Sequence, residues 1–363
     1  MSSGGAGSSW RTWLATSREY VGEARYDLLV AEMLLGHERF KLDKCRDDED
    51  TFHLGRRALY MLQQALEKAA KAYLIVLRVS LDGLSNIASL HPEVKSRVGS
   101  AERVLDELKR KLDPYRISHA PHKTLIKIMK ELINPRSREA IALHFEAIAD
   151  AISSPKLPAQ NAHDESMLEV AKELISAYFR SVAIAFREAR LGDLKLKDIR
   201  EEPPCIDPDL LSTLKGLKSV KLKEIAGEEL EKALRKDSED LKAIVASLAK
   251  VVAKIRGMGE DLVEHWTSSL LGNAEDLCRG VLTILYLGPF IVYVSACLNW
   301  YEQGGRYPSL RKKSKVFAVS EKREEICRDL ENVGPLVDEM RYIVKEVERF
   351  IEAYEVLLRE FSP

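Results

Sequence analysis

An all-α fold is expected from three observations. Apolar residues recur at helical period along most of the chain, and strong helix formers fill the segments that carry them. No stretch shows the alternation of a convincing strand. Thr51–Ser80 is the clearest case, with no proline and no glycine after Gly55. Leu59, Leu62, Leu66, Ala69, Tyr73 and Leu77 fall on one face of a helix there. Gln63, Gln64, Glu67, Lys68 and Lys71 lie off that face, and Glu67 precedes Lys71 by the four residues that suit a helix ion pair.

In chain order, residues 1–17 read as a flexible start, with a short packed segment at Trp10–Leu14. Arg18–Leu35 is the first helix, on the stripe Tyr20, Ala24, Leu28, Ala31 and Leu35, stopped by Gly36. His37–Asp50, with the acidic run Asp47–Asp50, reads as a solvated connection. Helical patterning returns at Glu102–Leu112, Thr124–Ile133, Arg136–Ile152 and Ser166–Leu191. Residues 18–192 thus make a first bundle. The span 193–223, rich in Lys and Asp/Glu and carrying Pro203-Pro204 and Asp207-Pro208, is the expected linker. A second helical region, 224–363, opens with Glu228–Arg256. Arg306–Lys315 reads as a basic loop, and a helix over Glu321–Phe361, interrupted near Gly334-Pro335, closes the chain.

Composition narrows the classes. With 45% apolar and 31% charged residues the chain is a globular protein rather than a disordered one. A net charge of −1 gives no global electrostatic case for nucleic acid or anionic membranes, which leaves local patches. The five cysteines are scattered and never form a CxxC pair, so reduced thiols in a cytoplasm are expected. The start MSSGGAGSS lacks an apolar signal core, and no export is expected. Gly280–Tyr301 runs 22 residues without a charge, long enough to span a membrane. Thr283, Ser295, Asn299 and Gly288-Pro289 dilute it, so a fully covered helix of the bundle is the favoured reading.

Gln63-Gln64-Ala65-x-Glu67-Lys68-x-x-Lys71-Ala72-x-Leu74 resembles the signature of the HEPN family, the higher-eukaryote and prokaryote nucleotide-binding helical domains. Ala24, Asp27-Leu28, Ala31 and Leu34-Leu35 fit the family's preceding helix, and His122 with Leu125, Ile126, Ile128 and Met129 resembles a later element. The resemblance covers about residues 18–190 and implies an up-and-down helical bundle that often dimerises. It implies two kinds of activity. Many such proteins are metal-independent ribonucleases of toxin–antitoxin or other defence systems. Others bind nucleotide or RNA, or partner a minimal nucleotidyltransferase without catalysis.

The catalytic kind carries an Arg, four to six residues, then a His. Arg stabilises phosphoryl charge bidentately and His moves the proton of the attacking 2′-hydroxyl. Arg138 with His144, on a predicted helix, and Arg116 with His122, in a predicted loop, each have five residues between. Glu139 and Ile117 follow these arginines, where the family commonly has Asn, Asp or His. Gln64, Glu67, Lys68 and Lys71 are the candidate nucleotide or partner groove, against the plainer reading of a polar stripe satisfied within the bundle. His119 and His122 find no evident third ligand, and no metal or other cofactor is expected. Walker-type, GxSxG and HExxH motifs are lacking. Beside the ribonuclease and the binding module stands a third reading, a helical adaptor whose apolar helix docks a partner or membrane.

Overall fold

The computed structural model describes residues 7–90, 92–112 and 121–153, isolated positions between 176 and 187, then 204–209, 212, 287–302 apart from 289, and 309–361 apart from 313 and 314. The chain forms α1 (Gly7–Leu35), a 3-10 turn at Leu42–Lys44, α2 (Glu49–Leu90), α3 (Pro92–Lys111), α4 (Pro121–Ile133) and α5 (Pro135–Ser153). A helix α6 covers 290–302. Strands β1 (Ser309–Lys312) and β2 (Lys315–Ala318) follow, then a 3-10 turn at Val319–Lys322, α7 (Arg323–Glu331) and α8 (Val333–Phe361). Among the described residues the fold is all-α apart from one antiparallel hairpin, which pairs Ser309 with Ala318 and Lys312 with Lys315.

The first and last helices are built to pair. On α1, Leu14, Ser17, Val21, Ala24, Leu28 and Ala31 are buried at alternating steps of three and four. Leu336, Met340, Ile343, Val347 and Phe350 repeat that pattern on α8. Beside the seam runs a ladder of ion pairs: Arg18–Glu355 at 2.5 Å, Arg25–Glu348, and Glu32–Arg341 at 2.8 Å. Each rung moves seven residues up α1 and seven down α8, so the helices are antiparallel in one heptad register. Exposed pairs of this kind contribute only about 0–1 kcal/mol each. Their value is in fixing which turn meets which.

Helix α1 extends further than the expected flexible start allows. Trp13, Leu14 and Ser17 continue its inner face, and the Ser17 hydroxyl donates to the Ala72 carbonyl of α2 at 3.1 Å. The acidic run ahead of α2 is not simply solvated loop: Asp48 Oδ2 accepts the Thr51 backbone N–H at 2.7 Å, capping the helix. That bond and the Thr51 hydroxyl hold the Asp48 carboxyl below its ordinary pKa. The break before α8 falls at Asn332. Pro335 therefore sits in the first turn of the helix, where its missing N–H costs nothing.

Gly55 is where α2 meets α7. A Cβ there would lie 2.4 Å from Leu330 Cδ1 and 3.0 Å from Phe40 Cε2. Leu330 is enclosed and has little room to move. Overpacking of this kind costs about 1–3 kcal/mol, against a gain of about 1 kcal/mol from alanine's helix propensity. Gly55→Ala is expected to lower stability by up to about 2 kcal/mol, measured as the shift in a urea unfolding midpoint. An unchanged or raised midpoint would show that this contact has slack.

Two expectations need correcting. The basic loop contains the β1–β2 hairpin, in which a two-residue connection lets a short segment pair with its own continuation. The cysteines are not isolated thiols: Cys45 is bonded to Cys327 and Cys205 to Cys297, with Cα–Cα distances of 5.8 and 5.3 Å. Spacing could not reveal partners 282 and 92 residues apart. Within the expected linker, Cys205 and Ile206 are buried. One contiguous core takes in side chains from α1 to α5 and from α6 to α8. Residues Phe290–Val294 and Tyr301 of the apolar segment are buried in that core. Among the described residues no helix is long and apolar enough to cross a membrane.

Candidate functional site

The polar signature on α2 lies against α1. Lys68 Nζ donates to Asp27 Oδ2 at 2.6 Å and stands 3.3 Å from Glu23 Oε2. One turn away, Glu67 accepts Lys71 Nζ at 2.7 Å and Gln63 Nε2 at 3.4 Å, and Gln64 donates to Gln63 Oε1. The Lys71 ammonium also rests 5.7 Å from the Tyr20 ring centroid. Asp27, Gln63 and Glu67 are buried. Burial works against the Lys68 charge, but the hydrogen bonds and charges of Asp27 and Glu23 outweigh it and raise its pKa.

Of the candidate groove residues, Lys68 crosses to α1 through Asp27 and Glu23, while Gln64, Glu67 and Lys71 are linked along α2, with the Lys71 ammonium over the Tyr20 ring of α1. Asp27 is the partner that sequence reasoning passed over as a functional group. Its signal was present: an acid beside the Ala24–Leu28–Ala31 core stripe needs a cation opposite it.

Arg138 and His144 both lie on α5, but the structure does not join them. A six-residue step turns a helix side chain about 120° away and about 9 Å along. His144 is fully buried; its Nδ1 donates to the Ala140 carbonyl at 2.7 Å, and its Nε2 lies 3.1 Å from Glu102 Oε2 on α3. Ala140 O can only accept, so Nδ1 is the donor in that contact. Arg138 Nη1 donates to the Arg187 carbonyl at 3.3 Å. Arg187 in turn clamps Glu139 at 2.7 and 2.8 Å together with Glu146. Its hydrogen bonds depress the Glu139 pKa, while its own rises well above the usual guanidinium value. Arg116 lies outside the described residues. The backbone of His122 opens α4, and its side chain is outside them.

A second polar node joins three parts of the core. Asp329 on α7 is wholly buried; its Oδ1 accepts the backbone N–H groups of Cys205 and Ile206 at 2.8 Å each, and its Oδ2 accepts Tyr301 O–H at 2.7 Å. Tyr293 closes the circuit, donating to the Cys205 carbonyl at 3.0 Å and accepting the Asp207 N–H at 2.9 Å. Burial raises the Asp329 pKa despite its three donors, and burial pushes Tyr293 up to about 12. Nothing in the local sequence marks Asp329, since all these partners come from other segments.

A groove lies elsewhere again, about 540 Å³ between α1 and α8, lined by Leu28, Leu29 and Val344 and rimmed by Arg25, Glu32 and Arg341. Those rim charges already serve the ion-pair ladder. Among the described residues no three metal-binding side chains cluster.

Comparison with known proteins gives one match. A family model described as "HEPN domain" matches residues 51–120, which take in α3 and all of α2 beyond its first two residues. No curated protein and no solved structure matches the chain.

Proposed function

Starting from a HEPN domain in the first half of the chain, we propose that this protein is a nucleotide- or RNA-linked binding or partner module of a prokaryotic defence or regulatory system. One observation carries the choice of binding over catalysis. His144, the only candidate base whose side chain is described, is enclosed and engaged at both ring nitrogens. A general base must come within hydrogen-bond reach of the hydroxyl it deprotonates, and the Arg138 guanidinium turns to a different partner. A homodimer, or a complex with a minimal nucleotidyltransferase, belongs to the same reading, as does a cytoplasmic setting.

The test pairs binding with cleavage. Fluorescence anisotropy should register binding of the purified chain to a labelled single-stranded RNA or a nucleotide, and a gel should show the RNA intact after prolonged incubation without metal. RNA cleavage that disappears in both Arg138→Ala and His144→Gln, with their circular dichroism unchanged, would replace this reading with the metal-independent ribonuclease. No affinity for either ligand in a monomeric protein would remove it altogether.

A further inference from the structure

We infer that the β1–β2 hairpin is a contact for the phosphodiester backbone of a nucleic-acid strand. From Gln303 to Ser320 the sequence carries five Arg or Lys and no acid, in a chain whose totals are 56 basic and 57 acidic residues. Three of those cations, Arg311, Lys312 and Lys315, stand on the strands themselves. The register makes Lys312 and Lys315 direct partners across the ribbon, with Arg311 opposite Val316 one step back and Leu310 opposite Phe317 two steps back. The lysine pair and the Leu310–Phe317 pair therefore belong to one side of the pleat, and Arg311 belongs to the other. The first acid after the hairpin, Glu321, is engaged by the Ala318 backbone N–H at 3.0 Å.

Two features of this ribbon call for an anion. Directly opposed residues of an antiparallel pair have Cβ atoms about 5 Å apart, and like charges there oppose the pairing. An aromatic–aliphatic pair such as Leu310–Phe317 favours it, but a two-stranded hairpin is marginal on its own in water. Among the described elements, β1 and β2 have their main contacts with each other and with the 3-10 turn after β2. A phosphate between Lys312 and Lys315 replaces one repulsion by two attractions. Cations on both sides of the pleat also select the kind of anion. A flexible strand of phosphates can reach both sides, whereas a single small anion or a flat lipid surface meets one. Lysines serve such a strand as point charges without a fixed geometry, so the contact positions a backbone and reads no bases. The contact with a phosphodiester strand stands on this register. That the strand is RNA rests on the function proposed above.

The test uses the full chain and fluorescence anisotropy, with a labelled single-stranded RNA and a DNA of the same sequence, between about 50 and 200 mM salt. Changing Arg311, Lys312 and Lys315 together to Gln should weaken RNA binding about tenfold or more at the lower salt. It should also reduce the slope of log affinity against log salt by about two, the loss of three phosphate contacts on a single strand. Lys312→Glu sets an opposite charge across from Lys315, so it should melt no lower than wild type and still bind RNA more weakly. A control with Lys41, Lys44 and Lys127 changed to Gln, all exposed and outside the hairpin, has the net charge of the hairpin variant and should bind as wild type does. Wild-type RNA binding by the hairpin variant or by Lys312→Glu, or an equal loss in the control, overturns the site and leaves the functional reading standing. Binding of DNA but not RNA, lost in the hairpin variant, keeps the site and removes RNA from the functional reading. A wild type that binds neither strand overturns the site, as does binding confined to phosphatidylserine vesicles, which would make the hairpin a membrane contact.

Discussion

Replacing Cys45 or Cys327 with serine is expected to lower stability by about 2–5 kcal/mol. The bond between them spans 282 residues, and cross-links that close long loops remove the most freedom from the unfolded chain. It fastens the turn ahead of α2 to α7, with Arg46–Glu324, Arg46–Glu331 and Arg323–Glu49 around it. Those exposed pairs are too weak to replace it. Both cysteines are fully buried, so a reductant reaches the bond only through unfolding. Urea unfolding of Cys45→Ser, Cys327→Ser and the double variant should give one common, lowered midpoint. Alkylation of the folded protein without reductant should leave Cys45, Cys205, Cys297 and Cys327 unlabelled. If all four label readily under denaturing, non-reducing conditions and the serine variants unfold like wild type, the bonds do not form.

Asp329→Ala should be at least as damaging, at about 3–5 kcal/mol. Alanine strands two backbone N–H groups and a phenol in the core, all of which now point at one carboxyl group. Asp329→Asn keeps an acceptor and should cost less. It also isolates a pH effect. A carboxyl whose pKa is raised on folding binds its proton more tightly in the native state. Its contribution is therefore full below the unfolded value of about 3.9 and falls as pH rises through the elevated native value. The advantage of wild type over Asp329→Asn should shrink as pH rises from 4 towards neutrality in chemical denaturation. An advantage that grows with pH would mean the three donors, not burial, set the carboxyl group's ionisation.

What the sequence disclosed follows how far each interaction reaches along the chain. The helices α1, α2, α4 and α5 were legible because periodicity is local: Leu59, Leu62 and Leu66 announce their shared face within two turns. The pairing of Glu67 with Lys71 was legible for the same reason. Asp27 with Lys68 crosses 41 residues and His144 with Glu102 crosses 42, and neither pair leaves a local trace. The Asp329 bonds to Cys205 and Ile206 and both disulfides join still more distant segments, so an Asp in a charged run and four scattered cysteines looked unremarkable. The Arg138–His144 spacing was legible as text, but it says nothing of burial. The fully enclosed ring of His144 could be seen only once α3 lay against α5.

The ladder between α1 and α8 has a consequence for the order of events during synthesis. Of the described helices, α1 leaves the ribosome before the rest, and one of its two long neighbours, α8, leaves after them. Glu32 waits through 309 residues for Arg341, and Arg18 waits longer for Glu355. Until then α1 has α2 to lean on, while its other flank lacks a cover. Contacts of such separation form late and slowly. A nascent chain halted before residue 333 is thus expected to be the form of this protein most prone to sticking to its neighbours.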